Sequence, residues 1–156
     1  MAFKILQDDL LSEQTRSLLA FHLAGMHENS PPEAVFVLDL SGLQQPEITV
    51  WSVWQGERIS GIGALKLLGQ GIAEIKSMRT HPDFLRQGVA RLLLSHIIAV
   101  ARERGLIQIS LETGNGPAFG PALALYRAEG FVNGSAFGDY LPGAFSQFLH
   151  LSLAGK

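Results

Sequence analysis

Met78 to Ile97 read MRTHPDFLRQGVARLLLSHI. The opening residues close a strand, Pro82 stops it, and an amphipathic helix takes over at Gly88 and runs to about Arg104. Val89, Leu92, Leu93, Ile97, Val100 and Ala101 form its expected buried stripe, and Gly105 is the natural stop. The apolar face does not account for Arg86-Gln87-Gly88 at the helix start. A helix N-terminus presents unpaired N–H groups and a partial positive charge, and a glycine there lets an anion approach the backbone. Arg86, Gln87, Gly88, Val89, Ala90 and Arg91 together read as a phosphate seat, with Arg86 and Arg91 adding charge. It is not a Walker loop, because no Gly-Lys-Ser/Thr follows, and it lacks the first glycine pair of a dinucleotide fingerprint.

Strand and helix signals extend outward in both directions. Upstream, Phe3 to Leu6 predicts a strand and Asp8 to about Met26 a helix carrying Leu11, Leu18, Leu19, Phe21 and Leu23. Ser30-Pro31-Pro32-Glu33 has the form of a capping box with proline in the first turn, so a second helix is expected to end near Leu40. Ile48 to Trp54 and Ile59 to Leu68 read as a hairpin turning at Gln55-Gly56-Glu57, and Ile72 to Thr80 as the next strand. Downstream come a strand from Leu106 to Thr113, a helix from about Pro121 to Glu129, and strands near Phe131 to Phe137 and Phe145 to Leu153. The order β-α-α-β-β-β-α-β-α-β-β predicts one α/β domain over residues 1–156, built on a mixed sheet.

Composition removes several functional classes. The chain has 156 residues, 47% of them hydrophobic, enough for one substantial core. Its formal charge of −2, with both signs mixed along the chain, gives no basic stripe for nucleic acid or an anionic membrane. Without cysteine there is no disulfide, thiolate nucleophile or cysteine metal site, and the five histidines show no ligand-like spacing, so no metal is expected. The N-terminus lacks the pattern of a signal peptide, and the apolar run from Val89 to Ala101 is too short to span a bilayer. A soluble cytoplasmic protein is the expectation.

Ala73-Glu74-Ile75, Met78 to Pro82, Arg86-Gln87-Gly88-Val89-Ala90 and Leu125-Tyr126 with Gly130-Phe131 stand in the order and spacing of the GNAT N-acetyltransferases. The resemblance runs from about Trp51 to the C-terminus. Two positions depart from the pattern: Leu85 stands where the loop usually has Gln or Arg, and Phe119 replaces an asparagine. The resemblance implies a sheet splayed between its fourth and fifth strands, with acetyl-CoA as co-substrate in the cleft. Met78 and Thr80 would pair with the pantetheine arm, and the amides from Arg86 to Arg91 would hold the pyrophosphate. It implies transfer of acetyl to a primary amine, of a small molecule or a protein. A non-catalytic acyl-CoA-binding or sensor module on the same fold is the alternative.

An alkyl amine is neutral in only about one part in 2,500 at pH 7, so making the nucleophile costs roughly 4.6 kcal/mol. A base near the amine and a proton donor for the departing thiolate are therefore needed. Glu74 is the candidate base, at the spacing before Gly88 where some GNAT enzymes carry a glutamate, and Tyr126 is the candidate acid. Glu112 is a second carboxylate; alternation predicts that either it or Leu111 faces the pocket, not both. The first two helices and the last hairpin, which build the acceptor pocket in such folds, nominate His22, His27, Glu28, Trp51, Trp54, Asp139 and Tyr140. Of these Asp139-Tyr140 suits an amine best. An edge strand in the last hairpin could pair in a homodimer.

Overall fold

A computed structural model describes residues 2–32 and 39–153. The elements are β1 (Lys4–Gln7), α1 (Glu13–Asn29), α2 (Leu40–Leu43), β2 (Ile48–Gln55), β3 (Arg58–Gly69), β4 (Ile72–Thr80), α3 (Val89–Glu103), β5 (Gln108–Gly114), α4 (Gly120–Ala128), β6 (Val132–Asn133) and β7 (Ser146–Ser152). Among the described residues seven strands form one sheet, ordered β1-β2-β3-β4-β5-β7-β6. Every neighbouring pair is antiparallel except β4 and β5, which α3 connects as a parallel crossover. This is the mixed α/β sheet that the sequence predicts. Among the described residues no helix is long and apolar enough to cross a membrane.

Alternation along β3 sorts the two faces of the sheet. Ile62 and Ala64 pack with Leu18 and Leu19 of α1. Gly61 and Gly63 face α3, and the missing side chains let that helix settle onto the strand. A Cβ at Gly61 would lie 2.7 Å from Val89 Cγ1, and one at Gly63 would strike Met78 and Leu93. Val89 is β-branched and starts α3, so it has little freedom to move aside. Gly61→Ala is expected to lower stability by about 1–3 kcal/mol through overpacking, read as a lower urea midpoint at unchanged slope.

The structure corrects several sequence expectations. Helix α1 starts at Glu13 rather than Asp8. Asp8 and Asp9 accept the amides of Leu10 and Leu11 (2.7 and 3.0 Å), Leu10 turns left-handed (φ 66), and Ser12 caps the helix. Glu33 of the expected capping box, and most of the helix predicted after it, lie outside the described residues. Ser41-Gly42 does not break a helix but lies inside α2, whose amide at Gly42 donates to the capping Asp39 carboxylate at 2.9 Å. The buried arc of α3 is Val89, Leu93, Leu94, Ile97, Ile98 and Ala101; Leu92 is exposed and Val100 half-buried. The core it enters includes Phe131, Leu149 and Leu153 as well as the central strands, so the arc widens toward Leu94 and Ile98. Strand β6 is only two residues long; the chain leaves the sheet just after Gly134, whose amide still donates to the Phe148 carbonyl at 2.9 Å and whose backbone passes against the His150 ring. The segment that follows is irregular until Ser146 and carries Tyr140.

Candidate active site

Strands β4 and β5 stay paired only where Ile72–Glu74 meet Gln108–Ser110. Beyond Glu74 they separate, and a cavity of about 640 Å³ occupies the gap. Because it passes between the strands, it is walled by residues from both faces of the sheet. This corrects the expectation that Leu111 and Glu112 exclude one another: both line it.

On the α3 side, the chain reaches the helix through a turn with Arg86 left-handed (φ 63) and Gly88 left-handed (φ 83). Gly88 occupies the N-cap position and supplies no capping side chain, and among the described residues no side chain accepts from the amides of the first turn. Leu85, Arg86, Gly88, Val89, Ala90 and Arg91 line the cavity; Gln87 does not, its amide lying 3.5 Å from the Asp83 carbonyl. Phe119 is buried in the core, edge-on to Phe145 at 5.5 Å, so the position holds packing rather than a polar group. Tyr126 also lines the cavity and stacks edge-on against Phe131 at 5.6 Å; burial pushes its phenol well up, holding it protonated.

Between the two sides β4 carries a bulge. Ala64 pairs with Lys76 and Ile62 with Arg79, so Gly63 alone faces both Ser77 and Met78. Ser77 takes up the extra length at φ 58, a conformation that costs a non-glycine residue about 1 kcal/mol or more. With β5 gone, the edge of β4 from Ile75 to Thr80 faces the gap, and Met78 and Thr80 line it.

On the α1 side, the Glu74 carboxylate is almost fully buried. Its Oε2 accepts from the Tyr140 hydroxyl at 2.5 Å and the Lys76 ammonium at 3.1 Å, and Lys76 also donates to the Tyr140 oxygen at 2.9 Å. Burial, then the neighbouring Glu74 charge, push the Tyr140 phenol up. Glu112 stands beside this cluster. Burial raises its carboxyl above the usual carboxylate range, the Ser146 hydrogen bond and Lys76 oppose that rise, and Glu74 adds to it.

Farther along, Arg79 donates through Nε–H to His22 Nδ1 at 3.0 Å, and its guanidinium lies 5.5 Å above the Phe21 ring. That bond places the imidazole proton on Nε2. Burial first, then Arg79, bring the His22 pKa from 6.5 to about 3. As pH falls below 6.5 the unfolded chain takes up this proton and the folded protein does not, so stability falls with pH until about 3. From this group alone the protein is expected to be about 2 kcal/mol less stable at pH 5 than at pH 7. Urea titrations across that range check it, and the non-titrating His22→Gln is expected to flatten the slope.

The structure thus gathers Glu74, Tyr126, Met78, Thr80, Arg86, Gly88, Val89, Ala90, Arg91, His22, Glu112 and Tyr140 around one cavity. It leaves others outside. Asp139, His27 and Glu28 are exposed and absent from the lining; Trp51 is core, and Trp54 donates to Ser52 Oγ at 2.8 Å. Lys76, Arg79, Met26 and Asn29 escaped the sequence reading. Lys76 was detectable, since it follows Glu74 at the two-residue period of a strand face. Arg79 was not, because only the bulge returns an odd-numbered neighbour to that face.

Residues 9–131 match the model of the Acetyltransferase (GNAT) family. The chain is 47% identical over 151 residues to the uncharacterised N-acetyltransferase YedL of Escherichia coli (strain K12), covering 97% of this chain and 95% of that protein. A crystal structure from Klebsiella pneumoniae subsp. pneumoniae, assigned as an acyl-CoA N-acyltransferase, superposes with a TM-score of 0.81 at 27% identity, over 97% of both chains. A Bacillus subtilis acetyltransferase in complex with CoA shares the fold, with a TM-score of 0.73 at 18% identity over 97% of this chain and 99% of that one.

Proposed function

The chain belongs to the GNAT acetyltransferase family, and we propose that it transfers the acetyl group of acetyl-CoA directly to a primary amine. The observation that carries this reading is the cavity through the β4–β5 gap, which joins an uncapped helix start on one face to a carboxylate cluster on the other. The uncapped amides, flanked by Arg86 and Arg91, fit the pyrophosphate of the co-substrate, and the open edge at Met78 and Thr80 fits its amide-bearing arm. When bound, acetyl-CoA supplies an acetyl group activated as a thioester.

The protein's residues divide the remaining work. Backbone N–H at the β4 bulge donates to the carbonyl oxygen as negative charge develops there. Glu112, whose carboxyl burial holds above its ordinary range, takes a proton from the amine, directly or through water. Glu74, engaged by Lys76 and Tyr140, fixes the wall against which the amine sits; its Oε1 has no hydrogen bond among the described residues, which favours a second reading in which Glu74 itself is the base. Tyr126, kept protonated by burial, donates to the departing thiolate.

The test is thiol release from acetyl-CoA with a panel of amines, followed by a colorimetric thiol reagent. Amine-dependent release supports transfer; tight acetyl-CoA binding without release under any amine turns the reading to a non-catalytic acyl-CoA module. Tyr126→Phe is expected to lower kcat by about 100-fold, the lower end of what a positioned acid contributes, while leaving acetyl-CoA affinity within a few-fold. An unchanged kcat would remove Tyr126 from the proton path.

A further inference from the structure

We propose that the amine acceptor is a small amino acid, with its carboxylate held by the Arg79 guanidinium. This rests on the acetyl-transfer reading above and names the substrate class for the same site.

The two cations on the α1 side of the cavity differ in how they are satisfied. Lys76 is paired with Glu74 at 3.1 Å. Arg79 has no carboxylate partner among the described residues. Its two contacts orient it without neutralising it: a neutral His22 accepts from Nε–H, and the Phe21 ring lies beneath the guanidinium plane. Arg79 lines the cavity, and among the described residues its terminal nitrogens, a planar fork suited to a carboxylate, make no hydrogen bond. A half-buried cation with no counter-charge is expensive unless a ligand supplies one.

Helix α1 is also shaped around this side chain. A Cβ at Gly25 would come within 3.0 Å of Arg79 Nη2, so the glycine leaves a notch for the guanidinium. The arginine is therefore built into the wall and is not a surface side chain folded inward. The co-substrate's phosphates do not explain it, because their seat at Arg86 and Arg91 lies on the α3 side of the sheet. Arg79 stands instead on the side of Glu74, Glu112 and Tyr140.

An amino acid is complementary to that wall: its amine meets the carboxylates and its carboxylate meets Arg79. A plain diamine would place a second positive charge against Arg79. The transfer balances without another reactant. The thioester C–S bond breaks and an N–C bond forms; the ammonium loses two protons, one toward Glu112 to make the nucleophile and one to solvent after attack, and the thiolate gains one from Tyr126. The products are an N-acetyl amino acid and the free thiol, and solvent restores both side chains.

The experiment compares thiol release with the common L-amino acids, β-alanine and 4-aminobutyrate against release with the carboxamide of each. For the best acceptor the acid is expected to exceed its amide at least 10-fold in kcat/KM. Arg79→Gln is expected to collapse that ratio toward one, and Arg79→Lys to restore part of it. The wild-type comparison stands even where a variant fails to fold. Equal use of acid and amide, preference for the amide, or acetylation of peptide amines alone overturns the amino-acid assignment and leaves acetyl transfer intact. A ratio that survives Arg79→Gln, or a loss confined to the KM for acetyl-CoA, also overturns it. No release with any amine, peptide amines included, removes the transferase reading and this inference with it.

Discussion

Glu112→Gln is expected to lower kcat by about 100-fold, the lower range for loss of a general base. Burial holds the Glu112 carboxyl above the usual carboxylate range, and a base works only when deprotonated. The rising limb of kcat with pH is therefore expected above that range, and Glu112→Gln is expected to erase it. Glu74→Gln is expected to act differently. The Lys76 ammonium, with a side chain only 9% exposed, would lose its carboxylate partner, and breaking such a pair costs about 3 kcal/mol of stability. Steady-state pH profiles together with urea unfolding separate the two roles. If Glu74→Gln erases the limb and Glu112→Gln keeps it, the base is Glu74.

The second large effect lies at the other end of the cavity. Gly88→Val is expected to weaken acetyl-CoA binding by about 10- to 100-fold, the equivalent of roughly 1–3 kcal/mol of backbone strain. The position is open, since a Cβ there meets nothing within 4 Å, so the penalty comes from the φ of 83° and not from crowding. A β-branched residue resists that conformation most, and relaxing it rotates the first-turn amides away from the gap. Alanine is expected to cost less. Calorimetric titration measures the affinity, and thermal unfolding shows that the variant still folds. Unchanged affinity in a folded Gly88→Val would sink the assignment of the phosphates to this turn.

Local chemistry explains what the sequence made legible. Strand β4 ends at Thr80 because Pro82 follows, and α3 begins after Gly88 because a strong apolar period starts there; neither depends on distant residues. The hairpin around Gly56 was equally local. The opened β4–β5 pair came only through resemblance, since no single residue marks where two strands part. The acceptor side was least legible. Tyr140 reaches Glu74 across 66 positions of sequence, and Arg79 reaches His22 across 57. Asp139, next to Tyr140, shares its composition cue but is exposed, because a loop residue's direction is set by packing such as that of Phe137 on Tyr140 (5.1 Å). The strand expected from Phe131 to Phe137 was overextended because Gly134 against His150 is a tertiary event.

The short β4–β5 pairing also has a mechanical meaning. Strands β1 to β4 form one plate and β5, β7 and β6 another, and three residue pairs are the hydrogen-bonded seam between them. The cavity is lined from both plates, so whatever enters the gap touches both and bears on the angle between them. Filling the gap is then felt far from either reacting group, as tension relieved or added along residues 72–74 and 108–110. Amide exchange along that seam is expected to slow when the gap is filled, while exchange at the centre of the β2–β3 hairpin stays as it was.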